Sequence, residues 1–416
     1  MEELPQLHDA PLKEAPEVEA EVAGFSAHAV HCGLRADGRQ DLALIAAAKA
    51  VPAAAIFTSN LLKAAPVVVS QKHIVSGRVR AVLANSGCAN AATGQPGMDA
   101  CLRTCQAAAQ ALGCQAEEII PCSTGVIGQV LNADKVQAAA PALAKGLSPQ
   151  GLPLAALAIR TTDAFTKMAR CDAEINGRPV RVVGLAKGAG MIRPDMATML
   201  AFVLTDAAAT PDALKSIIKP AADLSFNRAS VDGDTSTNDT LLLMASGEVG
   251  GPALEAGDPQ LEALGRAVTK VCQDLATMLV ADGEGAGHLI RVRITGAPDT
   301  DTARHLCYAI AHSPLCKTAF AGRDPNWGRL LSAPAAEAAR RGLDFVPEKT
   351  RLWIGDSLVA EKALWTGMEA EEAAARTMKK NRYEVRLDLG LGEASYWVLT
   401  TDLDHEYIKI NAEYRS

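Results

Sequence analysis

Apolar and polar positions along this chain switch between a period of two and a period near 3.6, and the switches mark its elements. Residues 24–85 read as short strands and turns, with GLRADGRQDLALIAA and AAAIFTSNLLKAAPVVVS the clearest pieces. VRAVLANSGCANAATG (79–94) reads as a strand opening into a Gly/Asn turn, followed by a helix over about 98–112. Residues 119–128, IIPCSTGVIG, form a second strand-to-turn element, and a helix over about 133–145 precedes the loop LSPQGLP. A β-rich run, 178–185, ends in Lys187 and a glycine turn, and the apolar segment 197–204 reads as a buried strand. A helix starts near Pro211 with Thr210 as its cap. The polar loop 225–247 feeds a strand, and the longest helix, 258–281, runs into DGEGAG (282–287) and a strand at 288–294. Two helices frame DPNWGR (324–329), a helix spans about 370–380, and strands lie near 383–389 and 395–399. At the end, Tyr407-Ile408-Lys409-Ile410 alternates like a strand.

Composition narrows the class. The 416 residues suffice for two or three lobes with a sizeable core. Half are apolar, yet only 4% are aromatic and alanine abounds, which suits an α/β protein with closely packed helices of small residues. The net charge of −7 and the lack of a basic tract argue against nucleic acid as a partner. No apolar run approaches the roughly 20 residues of a membrane helix. The first residues are acidic without an apolar core, so they read as a loose tail over 1–20 and not as a signal peptide. The ten cysteines show no CxxC or Cys/His cluster, and Cys101 and Cys105 lie one helical turn apart. Small buried thiols in a reducing cytosol follow, with neither metal nor disulfide framework.

The chemistry gathers around KGAGMIRPDMATML (187–200), where Gly188, Gly190 and Pro194 build a turn between two strands. On spacing alone Thr198 is a β-branched residue opening a strand. It is also a hydroxyl behind small Ala197, able to attack the preceding carbonyl and leave a free α-amine with an unperturbed pKa of roughly 8 beside itself. Ser123-Thr124-Gly125 sets a hydroxyl next to a glycine amide, two donors at close range for an oxyanion. Glu284 in DGEGAG repels phosphate and suits the amine of an amino acid; no Lys-Ser/Thr follows those glycines, so a nucleotide loop is not expected. Asp232-Gly233-Asp234-Thr235 lacks the spacing of a calcium loop and reads as structural.

KGAGMIRPDMATMLAF resembles the cleavage-site signature of the glutamate N-acetyltransferase/ornithine acetyltransferase family. NSGCANAATG, SFNRASVDGDTSTNDT, SPLCKTAFAGRDPNWGR and IKINAEYRS resemble further family segments in the family's order, so the resemblance covers about residues 22–416. It implies a layered α/β fold related to self-processing aminopeptidases and self-cleavage between Ala197 and Thr198. The parts would be a tail (1–20), an N-terminal fragment (21–197) and a C-terminal fragment (198–416), two of each assembling. It implies transfer of acetyl from N2-acetylornithine to glutamate through an acetyl-threonine on Thr198, with Thr124 and Gly125 as oxyanion hole. Lys187, Thr161 or Thr162, Glu284, Asn411 and Ser416 would hold substrate. No metal or tightly bound cofactor is implied, and acetyl-CoA as a second donor stays open. Ala189 stands where serine is common, Asp195 where asparagine is, and Ser416 where threonine is usual. The alternative of another class is a self-processing amidohydrolase or aminopeptidase, which passes its acyl group to water.

Overall fold

The computed structural model describes residue 7 and residues 11–193 and 199–413. Ala197, Thr198 and Ser416, three residues expected at the site, lie outside the described residues. The chain divides into two compact units: a larger one from Ala15–Asn227 and Asp234–Leu279, and a smaller one chiefly from Arg228–Gly233 and the chain from Val280 on.

The larger unit has strands β1 (Phe25–Val30), β2 (Leu42–Phe57), β3 (Arg78–Asn85), β4 (Ile119–Ser123), β5 (Lys167–Ile175), β6 (Arg178–Lys187), β7 (Leu200–Thr205) and β8 (Thr240–Ala245). Its helices are α1 (Ala65–His73), α2 (Gly94–Leu112), α3 (Ala133–Lys145), α4 (Leu152–Ala158), α5 (Pro211–Asp223) and α6 (Leu261–Ala281). The strands form one sheet in the order β4-β3-β2-β8-β7-β6-β5, with β1 also on β2.

β2 explains the layering. Its side chains alternate between faces, as a strand requires. Leu42, Leu44 and Ala46 enter a core with Val69 of α1, Cys101 and Cys105 of α2 and Leu143 of α3. Ala43, Ile45 and Ala47 enter another with Leu185 of β6, Phe202 of β7 and Leu242 of β8. The register of β2 against β3 shifts between Ala46 and Val51, and beyond that point β2 pairs with β8. The sheet therefore bends at β2, and its two halves enclose a shared core. Behind the second half, a Cβ on Gly184 would fall 2.8 Å from Leu275 of α6, so this glycine lets the helix settle on the strand. Helix, sheet, sheet, helix is the layered α/β fold expected, and burial of each large side chain such as Phe202 contributes about 1.5–3 kcal/mol.

The smaller unit packs helices on a six-stranded sheet. Its elements are β9 (Leu289–Ala297), α7 (Thr300–Ala311), α8 (Pro314–Ala321), α9 (Trp327–Arg341), β10 (Arg351–Ile354), β11 (Ser357–Glu361), β12 (Leu364–Trp365), α10 (Met368–Thr377), β13 (Arg382–Asp388), β14 (Ala394–Thr401) and α11 (His405–Ala412). The order is β12-β11-β10-β13-β9-β14, with Val292, Val385 and Val398 in its core.

Two segments expected as extended are helical. Residues 65–73, with three successive valines, form α1: Pro66 sits in the first turn, where its missing N–H costs nothing. Ser70 Oγ then donates to Pro121 O at 2.8 Å, and His73 Nδ1 lies 2.7 Å from Ile119 O, fastening the helix to β4. Tyr407 to Ile410 lie inside α11, whose first turn is capped by Asp404 accepting from the Glu406 N–H at 2.9 Å. Among the described residues, no helix is long and apolar enough to cross a membrane.

Candidate active site

Strand pairing brings three chain ends to one edge. β6 runs antiparallel to β7 with Lys187 opposite Leu200, and β7 runs parallel to β8 with Leu200 opposite Thr240. The end of β6 and the starts of β7 and β8 therefore lie side by side. The segment preceding β8 ties this edge to the turn after β4: Asn238 Nδ2 donates to Ser123 O at 2.8 Å and to Ala89 O at 2.7 Å. In that turn Thr124 Oγ1 accepts from Lys187 Nζ at 3.1 Å, and both side chains are buried. Two residues singled out 63 positions apart thus meet directly.

Gly125 is required by both backbone and space. Its φ is +131°, and a Cβ would overlap the Gly87 carbonyl carbon and lie 2.6 Å from Cys88 N. Those obstacles are backbone and cannot rotate away. The Thr124 N–H donates to Asn85 O at 2.9 Å, and Ser123 Oγ donates to Asn85 Oδ1 at 2.7 Å, which fixes the turn from the other side. Gly125→Ala is expected to displace the turn and lower kcat about a hundredfold or more, measured on purified protein. A variant with wild-type kcat would show that this turn does not serve the reaction.

Lys187 belongs to a buried charge cluster. Asp163 Oδ1 accepts from Lys167 Nζ at 2.7 Å and from the Gly188 N–H at 2.7 Å, while Oδ2 accepts from the Thr161 N–H at 2.9 Å. Burial alone would raise the Asp163 carboxyl; the ammonium groups of Lys167 and Lys187 and these hydrogen bonds hold it well below the usual carboxylate range. Asp163 thereby anchors both ends of the neighbourhood, the loop with Thr161 and Thr162 and the turn leaving Lys187. Both threonines are half-buried. Met199, the first described residue after the gap, is held on both sides: its N–H donates to Asp239 Oδ1 at 3.0 Å, and its carbonyl accepts from the Thr240 N–H at 3.1 Å.

The smaller unit holds a second group. Glu284 is buried, and its Oε2 accepts from Asn411 Nδ2 at 2.8 Å. The contact depends on α11 lying against the glycine loop: a Cβ on Gly285 would sit 2.6 Å from Tyr407 N. Asp402 clamps the far side of that loop. Its Oδ1 accepts the N–H groups of Gly287 at 2.8 Å and His288 at 3.1 Å, and its Oδ2 pairs with His288 Nδ1 at 2.8 Å. Burial pushes the Asp402 carboxyl up, but His288 and these N–H groups bring it below its ordinary value. Tyr407 Oη donates to Asp232 Oδ2 at 3.3 Å, which gives DGDT a structural contact.

Sequence reasoning missed Asp163, Asn238, Asp239 and Asp402. Asp163 had a signal, a lysine four residues on; the aspartates at 239 and 402 act through strand ends that only the fold brings near their partners. Among the described residues, no three His, Cys, Asp or Glu side chains gather as a metal site would need.

Comparison with known proteins agrees along the chain. The arginine biosynthesis bifunctional protein ArgJ of Pseudomonas syringae is 40% identical over 415 residues, covering 99% of this chain and 98% of that protein. Its counterpart in Methylococcus capsulatus is 43% identical over 395 residues, covering 95% and 96%. Among solved structures, the bifunctional protein of Bacillus halodurans is 34% identical and covers 51% of this chain and 98% of that one, with a TM-score of 0.48. Ornithine acetyltransferase from Mycobacterium tuberculosis, solved with ornithine, is 35% identical and covers 44% and 96%, with a TM-score of 0.38. The ArgJ family model matches residues 26–416, and with full-length relatives at this identity the chain belongs to the ArgJ family.

Proposed function

We propose that the protein carries acetyl from N2-acetylornithine to glutamate on Thr198, after cutting its own chain at Ala197–Thr198. The activity class, an ornithine acetyltransferase of arginine biosynthesis, follows from family membership. The observation that carries the residue-level reading is the buried Lys187–Thr124 pair at the strand edge from which the 188–199 connection departs. A hydroxyl that accepts from an ammonium becomes a stronger donor through its own hydrogen. Thr124, with the Gly125 amide beside it, is then suited to stabilise an oxyanion.

In maturation, the Thr198 hydroxyl adds to the Ala197 carbonyl. The C–N bond breaks, the new amine takes the proton, and water hydrolyses the resulting ester. One peptide bond and one water become the Ala197 carboxylate and the Thr198 amine. Because Lys187 and Leu200 pair across β6 and β7, both fragments stay joined through the sheet. In transfer, the amine takes the hydroxyl proton as Thr198 attacks the acetyl carbonyl, and returns it to the leaving nitrogen of ornithine. Glutamate's amine then attacks the ester and restores Thr198. Glu284 and Asn411 recognise the amino-acid substrate, joined by Ser416 and one of Thr161 and Thr162. The working assembly is two of each fragment in the cytoplasm.

One nucleophile used in turn by donor and acceptor gives ping-pong kinetics. Double-reciprocal plots against acetylornithine at several glutamate concentrations are expected to be parallel. Intersecting lines would contradict the acetyl-enzyme, and free acetate as product would favour a hydrolase. An assay with acetyl-CoA and glutamate, without acetylornithine, separates a one-donor from a two-donor enzyme.

A further inference from the structure

Lys317 of α8 is a buried cation that the mechanism above does not use, and it is 3% exposed. Its Nζ donates to Thr400 Oγ1 at 3.2 Å and to the Thr401 carbonyl, and its own carbonyl accepts the Leu403 N–H at 3.2 Å. Both acceptors of the ammonium are neutral oxygens. Burial pushes the pKa of Lys317 down to about 8, against the charges of Asp402 and Asp232. A methionine would fill the same space without burying a charge, so packing alone does not account for a lysine here. What the lysine grips does account for it. Residues 400–403, at the end of β14, form a wall of the glycine loop 282–287. A Cβ on Gly283 would fall 3.1 Å from Thr401 Cγ2, and one on Gly287 would fall 3.0 Å from Asp402 Oδ2. Thr401 Oγ1 also donates at 3.0 Å to Asp402 Oδ1, the oxygen that holds the Gly287 and His288 N–H groups. In sequence Glu284 lies between those two glycine contacts.

We propose that Lys317 is a positioning residue of the substrate site: by holding residues 400–403 through both its ammonium and its carbonyl, it keeps Thr401 and Asp402 against the glycine loop and so sets where the Glu284 carboxylate stands. The proposal rests on the reading of Glu284 as a group that binds the substrate's amine. Lys317 itself touches no substrate. The Thr400 hydroxyl passes the contact on to Ala311 O at 3.3 Å, so the one ammonium ties α7, α8 and β14 together. Glu284 Oε2 already accepts from Asn411 Nδ2 at 2.8 Å, which leaves its other oxygen to meet a cationic group. Such a bond weakens steeply once distance or angle departs from the optimum. Releasing the wall of the loop therefore costs affinity. Turnover stands, because none of these contacts belongs to the attacking group or to the Thr124–Lys187 pair.

The test uses the full chain with Lys317→Met, Glu284→Gln and the two combined, beside wild type. For Lys317→Met the expected result is complete cleavage, kcat for acetyl transfer within about twofold of wild type, and KM for acetylornithine higher by about tenfold. Glu284→Gln should raise the same KM. In that background Lys317→Met should add less than about twofold, because the lysine acts through the carboxylate already lost. A purely structural role would lower the urea midpoint and change KM and kcat alike in both backgrounds. Should the methionine chain be insoluble, Lys317→Gln carries the same expectations, its side chain being too short to reach the Thr401 carbonyl. Failure of both variants to fold would assign the lysine to stability and overturn the proposal. A wild-type KM in Lys317→Met beside a raised one in Glu284→Gln overturns the proposal alone, as does a full additional rise in the combined variant. An unchanged KM in Glu284→Gln overturns the reading of Glu284, and the proposal with it.

Discussion

Thr198→Ala is expected to emerge from expression as one uncut chain of 416 residues without measurable acetyl transfer. The wild-type chain should give two fragments, the second beginning at Thr198. Lys187 and Leu200 pair across adjacent strands, so the intervening segment leaves and re-enters the sheet at one edge. Thr124, Lys187 and Met199 are all fixed at that edge by named hydrogen bonds. Alanine removes the only atom proposed to attack, both in cleavage and in transfer. Loss of a nucleophile in comparable sites lowers turnover by on the order of 10⁴-fold or more. Denaturing mass spectrometry reads the cleavage, and product formation reads the transfer.

Asp163→Ala is the substitution expected to cost most stability. Asp163 and Lys167 have fully buried side chains, and Lys187 is buried nearby. Removing the carboxyl takes away the nearby negative charge that Lys167 and Lys187 share and the acceptor of the Thr161 and Gly188 N–H groups at once. Breaking a buried pair by deleting one partner costs about 3–5 kcal/mol. A lower urea midpoint than wild type is the readout, and an unchanged midpoint would show that the cluster contributes nothing. The pH dependence follows from the lowered carboxyl. Its stabilisation is complete above the unfolded value near 3.9 and is lost as pH falls toward the folded value. The gap between wild type and Asp163→Ala should therefore be steady from about pH 5 to neutrality and narrow in strong acid.

Much of the fold was legible because long periodic segments carry their own evidence. Residues 133–145 fill α3 as read, and Thr210 caps α5 with its hydroxyl 3.3 Å from the Ala213 N–H. Short segments misled. Four alternating residues at 407–410 resemble a strand, but the Asp404 cap and the seat on Gly285 decide for a helix. The valines at 67–69 favour extension locally, yet Ser70 and His73 gain partners on β4 only if the segment coils. The loop LSPQGLP gives way to a helix already at Leu152. At the site, residue types and family resemblance named Thr124 and Lys187, and Asp163 had a local mark in the lysine four residues on, whereas Asp239 meets Met199 only through the pairing of β7 with β8. An aspartate before a strand has no mark in sequence until the neighbouring strand is known.

An acetyl group carried on Thr198 should be trapped directly. Purified, cleaved protein mixed with N2-acetylornithine and no glutamate should yield a C-terminal fragment heavier by one acetyl group, located on its first residue by fragmentation. Adding glutamate should discharge it as N-acetylglutamate. A fragment that stays unmodified while acetyl transfer proceeds at full rate, or an acetyl group on any other residue, would rule out Thr198 as the acetyl carrier.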